Sequence, residues 1–173
     1  QGRAAEALAA GTRALEMAPA AARSHRLLGQ LYAQAGRLKE AEQVYRSWLA
    51  QSPGDPEALH HLAAVTGSGV PERASDAYVT EVFDRFAASF DAKLAHLQYA
   101  APALCARVLQ QRAGGRRLTV LDAGCGTGLC GPLLRPLARE LVGLDLSPAM
   151  LDRARARGGY DALVQGELTA WMA

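Results

Sequence analysis

The feature that most constrains this chain is the run LTVLDAGCGTG from Leu118 to Gly128. A short β-rich stretch, Leu118-Thr119-Val120-Leu121, ends on Asp122 and gives way to glycines at 124, 126 and 128. The residues after Gly128 keep the same rhythm. Pro132 to Glu140 reads as a helix, and Leu141-Val142-Gly143-Leu144 as a second strand ending at Asp145. Ser147 reads as the N-cap of a helix reaching Arg157, which Gly158-Gly159 ends. Ala162-Leu163-Val164 makes a third strand. Strand and helix alternating through tight connections imply a parallel sheet.

The first third of the chain obeys a different period. Gly2 maps onto Gly36, Ala7 onto Ala41, Ala14 onto Trp48 and Pro19 onto Pro53, a repeat of 34 residues. Ala22 onto Pro56, His25 onto Leu59 and Leu28 onto Leu62 continue it. One complete unit, 22–55, is flanked by half-units. Leu27, Leu28, Leu31, Tyr32 and Ala35 form one apolar face at helical spacing; Leu38, Ala41, Val44, Tyr45, Trp48 and Leu49 form a second. Gly36 supplies the left-handed break between the two helices and Pro53 stops the second. Small Gly29 and Ala41 let helices approach, while Tyr32, Tyr45 and Trp48 fill the space between pairs. On Leu28-Gly29, Tyr32, Ala41, Tyr45 and Pro53 the pattern resembles the tetratricopeptide repeat, with His25 standing where that family often carries an aromatic. A generic array of helical hairpins is the alternative. Solenoid units bury a full core only by stacking, so further repeats are expected before Gln1.

The repeat fails after Val65, and Thr66 to Pro71 is a Gly/Pro/Ser linker. Ser75 caps a new helix carrying Tyr78, Val79, Val82, Phe83 and Phe86 on one stripe. After a break near Ser89–Asp91 the apolar pattern resumes with Phe90, Leu94 and Leu97. A third helix with Leu104, Cys105, Val108 and Leu109 ends at Gly114-Gly115. The domains expected are thus 1–66, helical repeats; 67–117, a linker and leading helical segment; and 118–173, the strand-bearing part.

Composition excludes several function classes. A net charge of +2 with dispersed arginines gives no argument for nucleic acid, and no apolar run approaches the roughly 20 residues of a membrane span. No secretory leader is visible, which points to a cytoplasmic protein. Cys105, Cys125 and Cys130 lack metal-ligand spacing and read as reduced thiols. Neighbouring His60 and His61 point about 100 degrees apart on a helix, so they cannot converge on one metal. They read as solvent-facing or half-buried, and no metal site is expected. Arg153, Arg155 and Arg157 read as a solvated face near a helix C-terminus.

The chemistry concentrates around the glycine run. A glycine-rich loop between a strand and a helix brings backbone N–H groups close to a ligand. Asp145 lies 19 residues after Gly126, at the tip of the next strand, where a carboxylate can accept from both ribose hydroxyls. Gly126-x-Gly128-x-x-Gly131 also spells a dinucleotide fingerprint. There, however, the glycine follows the strand directly and a pyrophosphate sits on the helix N-terminus. Here Asp122 intervenes, and a carboxylate facing a pyrophosphate repels it. A sulfonium ligand with an ammonium group is favoured instead.

Val120 to Gly128 followed by LVGLDLSPAML resembles the first two motifs of class I S-adenosylmethionine-dependent methyltransferases, which have a Rossmann-like fold. The resemblance implies that Asp122 holds the methionine amino group and that Gly124, Gly126 and Gly128 form the turn under methionine and ribose. It implies that Asp145 binds the ribose hydroxyls, that Leu146 and Met150 flank the adenine, and that Glu167 contacts its amino group. Ser147 is read as a helix cap rather than a ligand. The stretch FDRFAASFDAKL from Phe83 to Leu94 resembles the leading segment of predicted bacterial methyltransferases with N-terminal tetratricopeptide repeats. Core packing is the preferred role of Phe86 and Phe90, with a cover over the cofactor as the alternative.

The expected fold class is therefore α plus α/β: tetratricopeptide-type hairpins, then the first half of a Rossmann-like parallel sheet, cut short after the third strand. The expected function is methyl transfer from S-adenosylmethionine to an unidentified acceptor, with the repeats binding a protein or peptide. The chain as far as Ala173 is expected to be inactive by itself, its acceptor-side residues lying beyond that point. The alternative is a non-catalytic repeat-based binding module with a degenerate or incomplete methyltransferase domain.

Overall fold

The computed structural model describes residues 2–173, so Gln1 lies outside the described residues. The chain divides into two compact units, Gln1–Tyr78 and Val79–Ala173.

The first unit is built from α1 (Gly2–Met17), α2 (Ala22–Gln34), α3 (Leu38–Gln51) and α4 (Pro56–Thr66). Each helix packs on the next in sequence. Gly36, at φ +73°, reverses the chain after α2, with the Arg37 N–H donating back to Tyr32 O at 2.9 Å. Asp55 caps α4 by accepting from the Glu57 and Ala58 N–H groups at 3.0 and 2.9 Å. The core of the unit is Ala41, Tyr45, Trp48 and Ala58, with Tyr32, Leu49, Leu62 and Val65 around them. A Cβ at Gly29 would lie 2.4 Å from the Tyr45 ring, so the helices meet where one side chain is missing.

Three residues of the expected apolar faces, Leu27, Ala35 and Leu38, are exposed instead. Leu27 and Leu38 are 44% and 49% exposed, because the stripe each helix buries is narrower than the run of apolar residues on it. His25 instead goes inside, fully buried, its Nδ1 within 3.2 Å of Ala21 O and its ring 6.1 Å from that of Trp48. His60 stacks on Tyr78 and His61 on Tyr45, both half-buried as expected.

Three further helices precede the sheet, the first of them beginning in the last residues of the first unit. Ser75 accepts from the Tyr78 N–H at 3.2 Å at the start of α5 (Asp76–Phe86). A 3₁₀ turn at Ala87–Ser89 leads into α6 (Phe90–His96), and α7 (Ala101–Ala113) ends at Gly114 with φ +58°. β1 (Leu118–Ala123), β2 (Ala138–Asp145) and β3 (Ala162–Gln165) form a parallel sheet in the order β1-β2-β3. Between and after them lie α8 (Gly131–Leu134), α9 (Pro148–Arg157) and α10 (Leu168–Met172). The protein is thus helical repeats followed by a Rossmann-like parallel sheet. Among the described residues no helix is long and apolar enough to cross a membrane.

The helix expected over Pro132–Glu140 is corrected. It shrinks to the single turn of α8 and a 3₁₀ turn at Arg135–Leu137, and β2 begins at Ala138. Pro136 cannot sit inside a helix without removing a hydrogen bond and clashing with the turn before it. Ala138 and Glu140 pair instead with Leu118 and Thr119 of β1. Arg135 fixes this start, donating to Ala138 O at 2.7 Å and to Asp161 at 2.6 Å, while Asp161 accepts from the Leu141 N–H at 2.7 Å. The result buries Leu134, Ala138 and Leu141 together.

Gly29→Ala tests the packing of the repeats. Alanine improves helix propensity by about 1 kcal/mol, but overpacking a buried ring costs about 1–3 kcal/mol, so net destabilisation is expected. Thermal unfolding of the full chain should show a lower Tm for Gly29→Ala; a raised Tm would mean that the Tyr45 contact does not constrain the helices.

Candidate functional site

The site forms at the carboxyl ends of β1 and β2, where parallel strands leave a crevice between their loops. β1 delivers Asp122, and the chain then passes Gly124, Gly126 and Gly128 at φ +71°, +53° and +80°. A side chain at any of these would be strained, so the glycines permit the path itself. The N–H groups of Gly124 and Cys125 both donate to Leu144 O, at 2.8 and 2.9 Å, which seats the loop on the end of β2. Asp145 continues the same work. Its Oδ2 accepts from the Gly126 N–H at 2.8 Å and its Oδ1 from the Ser147 N–H at 2.9 Å. Ser147 is fully buried and caps α9, accepting from the Met150 N–H at 3.1 Å, as its residue type and place in the sequence lead one to expect.

Tyr160 does not stand out as a site residue in the sequence. Its hydroxyl donates to Asp122 Oδ2 at 2.6 Å. Its ring fills space that three glycines vacate: a Cβ at Gly128, Gly131 or Gly143 would lie 3.1, 2.6 or 2.9 Å from it. Gly131, third glycine of the dinucleotide-like spacing, therefore makes room for an aromatic ring. The signal that could have found it is the surplus of small residues around one unassigned tyrosine after Gly158-Gly159.

The crevice is a cleft of about 490 Å³. Of the eight site residues expected from sequence, Asp122, Gly124, Gly126, Asp145, Leu146, Met150 and Glu167 line it. Gly128 does not; its α-carbon faces Ala154 and Tyr160. Met150 is buried and Leu146 half-buried. Glu167 also caps α10, accepting from the Ala170 N–H at 2.8 Å and the Thr169 hydroxyl at 2.6 Å. Val79, Phe83, Phe90, Leu94 and Tyr99 line it as well. The edge of Phe90 lies 3.9 Å from where a Gly126 Cβ would be, so this ring faces the loop. Phe86, 41% exposed and outside the lining, carries the Lys93 ammonium over its face at 4.1 Å instead of packing in a core.

The electrostatics are one-sided. Three carboxylates line the cleft and, among the described residues, its lining holds no lysine or arginine. Burial pushes the Asp122 carboxyl above the usual range; the Tyr160 hydroxyl pulls it back and the charge of Asp145 pushes it up again. Burial, with the neighbouring carboxylates, also drives the Cys125 and Cys130 thiols up to about 12 and about 11, so both stay neutral. All three cysteines are free, and no cluster suited to a metal occurs among the described residues.

Arg157 departs from the expected solvated face. Its Nε donates to Thr127 O at 2.9 Å and its guanidinium pairs with Asp91. Helical spacing alone cannot show this, because its partners come from residues 30 and 66 positions away. Arg155, by contrast, meets only a neighbour on its own helix, Asp152, at 2.7 Å.

Comparison with known proteins agrees with both units. Residues 1–56 match the family model of the tetratricopeptide repeat, and residues 120–171 that of a methyltransferase domain. Methyltransferase-like protein 27 of Homo sapiens is 39% identical over 120 residues, covering 66% of this chain and 47% of its own length. Malonyl-[acyl-carrier protein] O-methyltransferase of Yersinia pestis is 36% identical over 90 residues, covering 52% and 32%. The solved DhpI-SAH complex has a TM-score of 0.43 at 29% identity, covering 53% of this chain and 45% of that one. The chain spans less than half the length of these relatives. The helical repeats carry the segment matched to the tetratricopeptide repeat, and a strand, glycine loop and strand carry the segment matched to the methyltransferase domain.

Proposed function

We propose that the cleft binds S-adenosylmethionine and that the protein transfers its methyl group to an acceptor, with the repeats holding a protein or peptide partner. The observation that carries this reading is the charge of the cleft. Asp122, Asp145 and Glu167 converge there without a lysine or arginine in the lining. A dinucleotide would bring a pyrophosphate to those carboxylates and would need a helix N-terminus to receive it. The helix after the glycine loop is only the four residues of α8, too short for a useful dipole. A cofactor carrying an ammonium and a sulfonium meets attraction instead.

The residues present fit that cofactor. No heavy atom lies within 4 Å of a notional Cβ at Gly124, so the loop backbone is open to a ligand. In this reading Asp122 holds the amino group, with Tyr160 keeping its carboxylate oriented and ionised. Gly124 and Gly126 offer bare backbone, while Gly128 serves the turn from behind. Asp145 keeps lone pairs for the ribose hydroxyls on oxygens already ordered by two N–H groups. Leu146 and Met150 flank the adenine, and Glu167 faces its amino group. Phe83, Phe90 and Leu94, which also line the cleft, exclude water from it. Bound S-adenosylmethionine supplies an activated methyl on a good leaving group; the chain contributes alignment and dryness. Relatives bear names of unlike acceptors, malonyl-[acyl-carrier protein] and 18S rRNA guanine, so the likeness speaks for the transfer rather than for one acceptor.

Functionally we divide the chain into partner-binding repeats at 1–66, a joining and covering segment at 67–117, and the cofactor-binding part at 118–173. The free cysteines fit a cytoplasmic setting.

Calorimetric titration of the full-length protein should give binding heat with S-adenosylmethionine and none with NADH; the reverse result would overturn the proposal. Asp145→Asn keeps one acceptor oxygen but loses the charge, and should weaken cofactor binding about 10-fold or more; an unchanged Kd would remove Asp145 from the site. Binding of the ammonium requires ionised Asp122, whose carboxyl is raised. Affinity should therefore fall as pH is lowered, at a higher pH than an ordinary carboxylate would give. Tyr160→Phe removes the hydrogen bond that favours the ionised form, so the fall should move to still higher pH. A Kd series across pH that is the same in both proteins would dissociate Asp122 from the ammonium.

A further inference from the structure

The sequence PheAspArgPheAlaAlaSerPheAsp at 83–91 contains the pair Phe-Asp twice, seven residues apart. Seven residues is about two helical turns, and even with the 3₁₀ turn between them the two rings meet edge to face, centroids 6.3 Å apart. Both rings line the cleft. The two carboxylates leave in the direction of its two loops. Asp84 Oδ1 accepts from the Ser147 hydroxyl at 2.5 Å and from the Ala149 N–H at 3.2 Å. Asp91 Oδ1 accepts from the Thr127 hydroxyl at 2.5 Å, and its Oδ2 pairs with Arg157.

The positions of those partners matter. Ser147 stands two residues past Asp145, in the loop after β2. Thr127 stands between Gly126 and Gly128, in the loop after β1. Both hydroxyls belong to buried residues, 0% and 1% exposed. Arg157 grips Thr127 a second time, through its carbonyl. Each loop that would hold the cofactor is thus tied by one carboxylate to the segment whose phenylalanines wall the cleft. Hydrogen bonds to an ionised carboxylate are about twice as strong as neutral ones, so these are the strong ties available to the segment.

We propose that Asp84 and Asp91 are positioning residues for the cofactor site: they fasten the covering segment, residues 79–97, to the two loops, so that cover and loops hold the cofactor as one body. The inference rests on the reading of the cleft as an S-adenosylmethionine site. Without the Asp91 tie the glycine loop loses its outer support and the Phe90 wall is released with it. Without the Asp84 tie the same happens at the start of α9, beside the ribose acid.

The test uses the full-length protein, its Asp84→Ala, Asp91→Ala, Arg157→Ala and Asp91→Ala/Arg157→Ala variants, and Arg155→Ala as a control on the same helix. Hydrogen exchange without cofactor should rise at Thr127 and Gly128 in Asp91→Ala and at Ala149 and Met150 in Asp84→Ala, and stay unchanged in Arg155→Ala. Titration should show Kd for S-adenosylmethionine raised about 10-fold in each aspartate variant, through faster release. The Asp91 and Arg157 effects on Kd should be less than additive in the double variant, as for two groups acting through one contact. Asp84→Asn, which keeps an acceptor for Ser147, should recover part of the loss. Unchanged exchange in both aspartate variants would overturn the latches whatever the cofactor does. Altered exchange with unchanged Kd and release rate would overturn their part in positioning, leaving a merely structural contact. Altered exchange in the variants of a protein whose wild type binds no S-adenosylmethionine would overturn the cofactor reading and, with it, the positioning role.

Discussion

The carboxylate of Asp145 is the interaction on which the second unit's site depends. Two loops that follow separate strands have no ladder between them, and each carries N–H groups that need acceptors. Asp145 takes one from each, Gly126 on one side and Ser147 on the other. A single residue at a strand tip thereby sets the spacing of the glycine loop against the start of α9. The ligand-binding role proposed for Asp145 and its role as a loop organiser consequently rest on one geometry. A carboxylate ordered in this way need not reorganise when a ligand arrives, which is what makes preorganised polar groups effective.

Around that joint the packing is arranged by absence. Gly128 and Gly131 close one turn, the Gly131 N–H donating to Gly128 O at 3.0 Å, and Gly143 lies in β2, yet each lacks a Cβ where the Tyr160 ring needs space. The ring brings its hydroxyl to Asp122, so three glycines position one proton. The first unit uses the same device once, where Gly29 admits Tyr45. In both units a large aromatic fixes the approach of two elements because nothing else can occupy its volume.

Much of this is legible in the sequence. The 34-residue period locates the helices of the repeat, and Gly36 and Asp55 end and begin elements as their chemistry demands. The strands, the left-handed glycines and the Ser147 cap follow from local residue types. The stretch before β2 misleads because Pro132 to Glu140 has helical spacing, whereas the β1 edge and the Arg135–Asp161 pair claim Ala138 onward for the sheet. Tyr160, Asp84, Asp91 and Arg157 escape a reading of the sequence for a related reason. Their significance lies in partners distant along the chain, and neither propensity nor spacing encodes such pairings.

The sequence by itself determined the two architectures and the chemistry of the loop: a helical period of 34, and a strand, acid, glycine turn and second acid in that order. These are local properties, set by backbone sterics and the placing of charge within a few residues. Tertiary structure decided what each glycine is for, which acid has a proton donor beside it, and what covers the cleft. Those outcomes depend on which side chains meet across the fold, and close packing settles that only once all of them are in place.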